Sequence, residues 1–494
     1  MWVVIYYIFS YLVFFYTLVA MVFLVYLAVR SNTAQKRLLV NVPDDDTIRY
    51  TLKSSPITPT VSIIAPAFNE EKTILDNVYS LLGIYYPNYD IIIVNDGSKD
   101  KTLELLIKEF KLESIPFINQ KRVPSKPIKA VYKSTEERFS QITVVDKESG
   151  GHKADSVNAG LNVCYSKYFV STDVDCIIEP MALYRMIWTV INSHEPMVGV
   201  GATMLMLNGC IVEDGRVVEA KVSNNPLPVF QQLEYMRSFL IGKMGWSSIN
   251  TLPNISGGFG LFDTEVVVKS GGYDSTSLAE DLDLLMRIVT YMENTGKDYR
   301  LAQLPQVCCW TEGPYNLRLL WRQRTRWSRG LCEVVSSHRK LFFNYKYKRM
   351  GLLTLPYIFI FEFLAPLIEA SGFLFMIWLV LVGAVNWNTA FVIFGMIYVF
   401  AISLTFLVLV YDYLIKAVNW KSSWRSYLKL IIAGITEPFL FHPFITFCSL
   451  AGYFNYFRNR GKEWKTIKRK GAKKRNDRSG KDNINDIPLE GNMP

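Results

Sequence analysis

The sequence predicts an α/β domain with a mostly parallel mixed sheet, held on the cytoplasmic side of a membrane and flanked by transmembrane α-helices. Three observations predict it. Short apolar runs alternate with helix-period segments between Thr60 and Thr172, the order that builds parallel sheets. Those runs end in polar residues, Asn69-Glu70, Asp96 and Asp173-Val174-Asp175, at the strand edge where such proteins bind ligands. Of the 494 residues 50% are hydrophobic and 14% aromatic, with long uncharged stretches at both ends of the chain.

The first stretch, Trp2 to Ala28, carries no charge before Arg30. It is longer than the apolar region of a signal peptide and no small-residue cleavage site follows, so residues 1–30 read as a retained anchor. A polar linker, 31–58, contains Asp44-Asp45-Asp46 and closes at Pro56 and Pro59. The strand Val61 to Ala65 ends at Pro66, and Asn69 is expected to cap a helix with Glu70 and Glu71 in its first turn. A second strand, Asp90 to Val94, ends in Asn95-Asp96-Gly97-Ser98 and is followed by a helix from about Asp100 to Leu112. Residues 113–140 show no period and are expected to form a long surface excursion. A third strand, Ile142 to Val145, leads to Lys153, which opens a helix and can meet phosphate oxygens; a solvated lysine would look the same. The fourth strand begins at Tyr168 and runs into Asp173 and Asp175. Two carboxylates one residue apart on extended backbone point the same way and suit Mg²⁺ or Mn²⁺, although two acids after a strand also occur in solvated turns.

Beyond the fourth strand, Cys210 to Val218 reads as a hairpin turning at Asp214-Gly215, and Leu227 to Lys243 as an apolar helix with Glu234. Glycines in Ile255 to Phe262 permit close approach of a ligand to backbone. Glu280, Asp281 and Asp283 open a helix, where capping alone would explain them. Gln323, Arg326 and Trp327 fall on one helical face. Arginine is a bidentate diphosphate ligand and tryptophan a stacking platform, while an interfacial amphipathic helix is the plainer reading. The α/β domain is assigned to residues 59–345 and the membrane helices to 346–457.

After Lys348 apolar segments run over about 352–385, 389–411 and 430–456. Glu362 and Glu369 at that depth suggest a polar path. Glu437-Pro438 and His442-Pro443 suggest that the last segment bends or forms a re-entrant hairpin, with a hairpin favoured and a single span as the alternative. Arg30, Lys36 and Arg37, then Lys416, Lys421 and Arg425, place the domain and that loop inside, and the basic tail 458–494 is expected there too, which requires an even number of crossings after the domain. The tail carries most of the net charge of +10. Beside an apolar segment, with no base-reading module, it indicates membrane lipid headgroups and no nucleic acid. Seven cysteines lack metal-ligand spacing and a disulfide pattern, which fits a reduced compartment, and four scattered histidines argue against a histidine metal site.

Together these motifs resemble the membrane-embedded, processive family-two glycosyltransferases, the group of cellulose, hyaluronan, chitin and poly-N-acetylglucosamine synthases. The resemblance implies a GT-A, Rossmann-like domain at the plasma (inner) membrane, with a UDP-sugar donor, a glycan or lipid acceptor, a Mg²⁺ or Mn²⁺ cofactor, and accessory export subunits as a further partner class. It implies that Asp96 contacts the uridine, with Asn69 and Glu70 beside uracil and ribose, and that Asp173 and Asp175 hold the metal and diphosphate. Asp281, in Ala279-Glu280-Asp281, matches the catalytic base of a Thr-Glu-Asp motif, with Ala279 in place of the commoner threonine. Gln323, Arg326 and Trp327 match Gln-x-x-Arg-Trp, associated with processive members. The expected reaction inverts the anomeric carbon, and the polymer leaves past Glu362 and Glu369. Two other readings stay open: a non-processive transferase adding one sugar to a lipid or short acceptor, and a transport or scaffold protein that binds nucleotide-sugar without turnover.

Overall fold

The computed structural model describes residues 2–174, 176–416, 424–458 and the pair 473–474. Asp175, Lys421 and nearly all of the basic tail, each assigned a part above, lie outside the described residues. Ten strands form one mixed sheet. They are β1 (Val61–Ala67), β2 (Tyr89–Asn95), β3 (Leu112–Ile115), β4 (Ile128–Ser134), β5 (Ile142–Lys147), β6 (Tyr168–Thr172), β7 (Ile177–Ile178) and β8 (Met197–Met206), and then, past the hairpin β9 (Ile211–Glu213) and β10 (Arg216–Glu219), β11 (Phe259–Asp263) and β12 (Arg300–Thr311). Their order is β3-β4-β5-β2-β1-β6-β11-β8-β12-β7.

The central run β5-β2-β1-β6 is parallel, and its strands are apolar on both faces. Ile63 and Ala65, with Ile91 and Ile93, pack under helices Ile74–Leu82 and Ala182–Ile191, whereas Ile64, Ile92 and Val94 pack under helix Lys153–Leu161. That is the burial a doubly covered sheet imposes. Helix Lys153–Leu161 is buried along its whole length, and a Cβ at Gly160 would stand 2.6 Å from Ile64 Cγ2. Because consecutive strands leave β1 in opposite directions, a crevice opens at the carboxyl ends of β1 and β6.

Four sequence expectations are corrected. Asn69 does not cap a helix: it takes left-handed backbone (φ 55°), its Oδ1 accepts from the Lys99 backbone N–H at 2.9 Å, and the helix starts at Ile74. The next helix spans only Thr102–Glu109, since Leu112 already belongs to β3. Residues 113–140 are not an excursion, because β4 extends the sheet antiparallel to β5 and β3 pairs antiparallel with β4. The last apolar segment does not fold back: Trp424–Phe457 is one helix of 34 residues containing Pro438 and Pro443. Contacts beside the prolines sustain it: Glu437 pairs with Arg237, and Glu369 accepts from Thr446 Oγ1 at 2.7 Å. The hairpin turn at Asp214 and Gly215 forms as expected, both with positive φ (47° and 71°).

Among the described residues four helices are long and apolar enough to cross a membrane: Tyr7–Leu38, Met350–Leu381, Trp387–Ile415 and Trp424–Phe457. The first reaches the sheet domain at its inner half, where Gln35 Nε2 donates to the Leu240 carbonyl at 2.6 Å and Arg30 Nε to Ser248 Oγ at 3.1 Å. The last is the odd one, because both of its ends touch the domain. Near its start Lys429 Nζ donates to the Val222 carbonyl at 3.1 Å, and near its end a Cβ at Gly452 would stand 2.7 Å from Ser328 Cβ. Its outward face is the apolar row Leu428, Ile432, Ile435, Phe439, Phe447 and Phe454.

Candidate active site

The parallel register decides which side chains meet. Pairing of Ala67 with Asn95 and of Asn95 with Asp146 puts the ends of β1, β2 and β5 level. Asp96 and Lys147 follow or close two of those strands and so face each other. Asp96 is 4% exposed, and its Oδ1 accepts from Lys147 Nζ at 2.5 Å and from the Gly150 backbone N–H at 2.9 Å. Lys147 is fully buried and stands 2.6 Å from Asp155 Oδ2 on the other side. A buried cation between two carboxylates is a paired arrangement that fixes both. Gly97 has φ +65°, and a Cβ there would lie 2.9 Å from the Ser149 backbone nitrogen, so Asn95-Asp96-Gly97-Ser98 requires its glycine. The β1 loop is tied to this turn, with Asn69 N donating to Ser98 Oγ at 3.0 Å and Glu70 N to Thr102 Oγ1 at 2.9 Å.

Across the crevice, Lys153 opens its helix as expected and donates to Asp173 Oδ1 at 2.6 Å and to the Gly257 carbonyl at 2.5 Å. Burial alone would push the ammonium down, but the carboxylates of Asp173 and Glu280 outweigh it and hold Lys153 above the usual lysine range. The Asp173 side chain keeps 34% of its surface open to the cavity. A Cβ at Gly258 would come within 2.6 Å of Met204 Cε, so the glycine pair 257–258 brings backbone close to the carboxylates.

Asp281, in the first turn of helix Glu280–Thr295, accepts three hydrogen bonds: from Asn254 Nδ2 at 2.9 Å, from Gly257 N at 3.2 Å and from Leu282 N at 2.9 Å. About one of a carboxylate's roughly four acceptor positions is left for a ligand hydroxyl. Burial, and next the charge of Asp281, hold Glu280 above the usual carboxylate range against Arg326 and Lys153. Helix Leu317–Ser337 abuts this turn, where a Cβ at Gly330 would stand 2.7 Å from the Ala279 Cβ. Ala279 therefore sits in a tight helix contact. Arg326 Nη1 donates to the Leu278 carbonyl at 3.4 Å, and the Gln323 Oε1 atom is buried without a partner.

Glu70, Asp96, Lys153, Asp173, Asp281 and Arg326 line one cavity of 1840 Å³, as do Gln323 and Trp327. Asn69 stands outside that lining, and its side chain serves the loop. The cavity continues past Lys243, whose ammonium burial pushes down to about 8 while Asp281 and Glu362 pull it up. It then runs between the apolar helices along Tyr16, Glu362, Glu369 and His442 to Asn386. Lys147, Asn254 and Lys243 were not singled out from sequence. For Lys147 the signal was its place at the end of a strand level with the one that ends at Asp96.

Among the described residues no group of three or more metal-ligating side chains converges. One half-exposed carboxylate at a strand end fits a hard cation completed by diphosphate oxygens, since Mg²⁺ is commonly held by one or two carboxylates plus substrate phosphates.

Two sequence-family models match in chain order: "Glycosyl transferase family 2" over residues 62–123 and "Glycosyl transferase family group 2" over residues 230–408. The chain is 30% identical over 311 residues to the probable glycosyltransferase YdaM of Bacillus subtilis, covering 62% of this chain and 63% of the relative. It is 28% identical over 322 residues to the poly-beta-1,6-N-acetyl-D-glucosamine synthase of Staphylococcus aureus, covering 64% and 65%. It thus spans just under two thirds of these relatives' length. Among solved structures, a mannosyltransferase from Pyrobaculum calidifontis in complex with GDP-Man and Mn2+ matches at TM-score 0.44 and 14% identity, over 88% of this chain and 99% of that one. The first family model covers β1, β2 and their loops, the second reaches from helix Pro226–Arg237 into the membrane helices, and between them they take in Asp96, Asp281 and the Gln323 to Trp327 face. Over residues 62–123 and 230–408 the chain carries glycosyl transferase family 2 domains, similar to those of glycosyltransferases and synthases.

Proposed function

We propose that the protein transfers a sugar from a UDP-sugar to a growing β-linked polysaccharide and passes the product into the membrane. The observation that carries this reading is the single cavity that joins Asp96, Asp173 and Asp281 to Glu362 and Glu369 between the apolar helices. In this reading uracil and ribose lie against Asp96 and Glu70, and Lys153 meets the diphosphate. Asp173, with Asp175, would hold Mg²⁺ or Mn²⁺, which when bound neutralises the diphosphate of the leaving group. Asp281 uses its remaining acceptor position to take the proton of the acceptor hydroxyl, whose oxygen attacks the anomeric carbon opposite UDP and inverts it. Arg326 faces the charge developing on UDP, and Trp327 offers a stacking face to the acceptor sugar. N-acetylglucosamine is the first donor to try, because the S. aureus relative carries a poly-N-acetylglucosamine synthase name.

The test supplies UDP-N-acetylglucosamine, UDP-glucose and UDP-glucuronate, singly and mixed, to membranes containing the protein, with Asp281→Asn as control. High-molecular-weight product from one donor is expected. Lipid-extractable or single-sugar product would select the non-processive reading.

The same reading takes an even number of crossings after the sheet domain. Met350–Leu381 and Trp387–Ile415 cross as a pair, and Trp424–Phe457, tied to the domain at both ends and to the Trp387–Lys416 helix through Phe439, stays on the inner side. Cysteines introduced at Trp424 and at Arg458 should then both react with an impermeant maleimide from the cytoplasmic side, and one at Asn386 only from the far side. Opposite sidedness for the first two would make that helix a span.

A further inference from the structure

Between Gln323 and Arg326 stands Arg324, which no part of the mechanism above uses. It is 5% exposed, and its guanidinium forks onto Glu234 of helix Pro226–Arg237, with Nη1 2.6 Å from Oε1 and Nη2 2.5 Å from Oε2. The same guanidinium lies 4.5 Å from the centroid of the Trp327 ring. All three side chains border the cavity. A two-pronged arginine–carboxylate bond fixes the guanidinium plane, and a cation over a ring face restrains the ring that it covers. The ring one helical turn from Gln323 is therefore held by Arg324 of its own helix, which Glu234 anchors from a second helix.

We propose that Glu234 and Arg324 are positioning residues which set the plane of the Trp327 indole against the acceptor sugar, and so determine how many sugars are added before the chain is released. This rests on the reading of Trp327 as the acceptor platform. Neither residue touches the reacting atoms, so loss of the pair acts on retention of the acceptor between additions. Lysine in place of Arg324 keeps the charge but loses both the fork and the flat stack.

The experiment compares wild type with Glu234→Gln, Arg324→Lys, Trp327→Ala and the double variant Glu234→Gln/Trp327→Ala, measuring initial UDP release, thermal unfolding and product length. Glu234→Gln and Arg324→Lys are expected to shorten the mean product by about fivefold to tenfold, through faster release of a chain held by a weakened stack, with initial UDP release within about twofold of wild type. The double variant should make product no shorter than Trp327→Ala alone. Normal length from Glu234→Gln and Arg324→Lys beside short product from Trp327→Ala would overturn the positioning role and leave the platform standing. Normal length from Trp327→Ala would overturn the platform reading and this inference with it. Parallel loss of UDP release, length and melting temperature in the two single variants would make the pair merely structural, which also overturns the proposal.

Discussion

Asp281→Asn is expected to lower transfer by about 10²–10⁴-fold, the range for loss of a positioned general base, while leaving UDP binding by calorimetry within about twofold. The structure explains why binding should survive. Asp281 is held by Asn254, Gly257 and Leu282, whereas Asp96, set against the uracil and ribose in the proposed reading, belongs to a separate ion-paired cluster with Lys147 and Asp155. The substitution has a second, smaller effect. Both carboxylate oxygens accept from fixed donors, so an asparagine amide group must face one of them with its NH₂. That mismatch costs about 1–3 kcal/mol, read as a lower melting temperature. Equal loss of transfer and UDP binding would contradict the assignment of Asp281 as base.

Lys147→Met is the substitution expected to cost the most stability. It leaves Asp96 and Asp155 buried and facing each other without the cation between them, and breaking a buried pair from one side costs about 3–5 kcal/mol. Thermal unfolding should shift down strongly and UDP affinity should fall together with it, because Asp96 loses the group that orients it. Lys147→Arg keeps the charge in a larger head group and should retain more of both. A Lys147→Met protein with normal melting temperature and normal UDP binding would show that the cluster does not hold the nucleotide side of the crevice.

Most of the central sheet was legible because strands covered on both faces must be continuously apolar, as Ile63 to Ala65 and Ile91 to Val94 are. The edge was not. In β4 only Val131 is buried, and Lys129 and Lys133 are exposed, so the segment lacks the apolar run by which a strand is recognised. Asn69 misled for a related reason: asparagine is favoured both at helix caps and in left-handed turns, and its partner at Lys99 lies on another loop. Prolines 438 and 443 argued for a bend or a hairpin, and the contacts beside them in the continuous helix come from Arg237 and Glu369, distant in sequence. The aspartates stood out as short motifs, yet the charges that hold the site together did not. Lys147 and Glu234 look like surface residues until the strand register and the crossing of two helices bring each to its partner.

The most direct test of the account reconstitutes the purified protein in sealed vesicles with its sheet domain outward, supplies UDP-N-acetylglucosamine and Mg²⁺ or Mn²⁺ outside, and measures the size and the side of the product. A cavity leading from Asp281 past Glu362 and Glu369 predicts long chains inside the vesicle, protected from added glycosidase until detergent is present. Product that stays outside and short, with the same donor consumed, would contradict it.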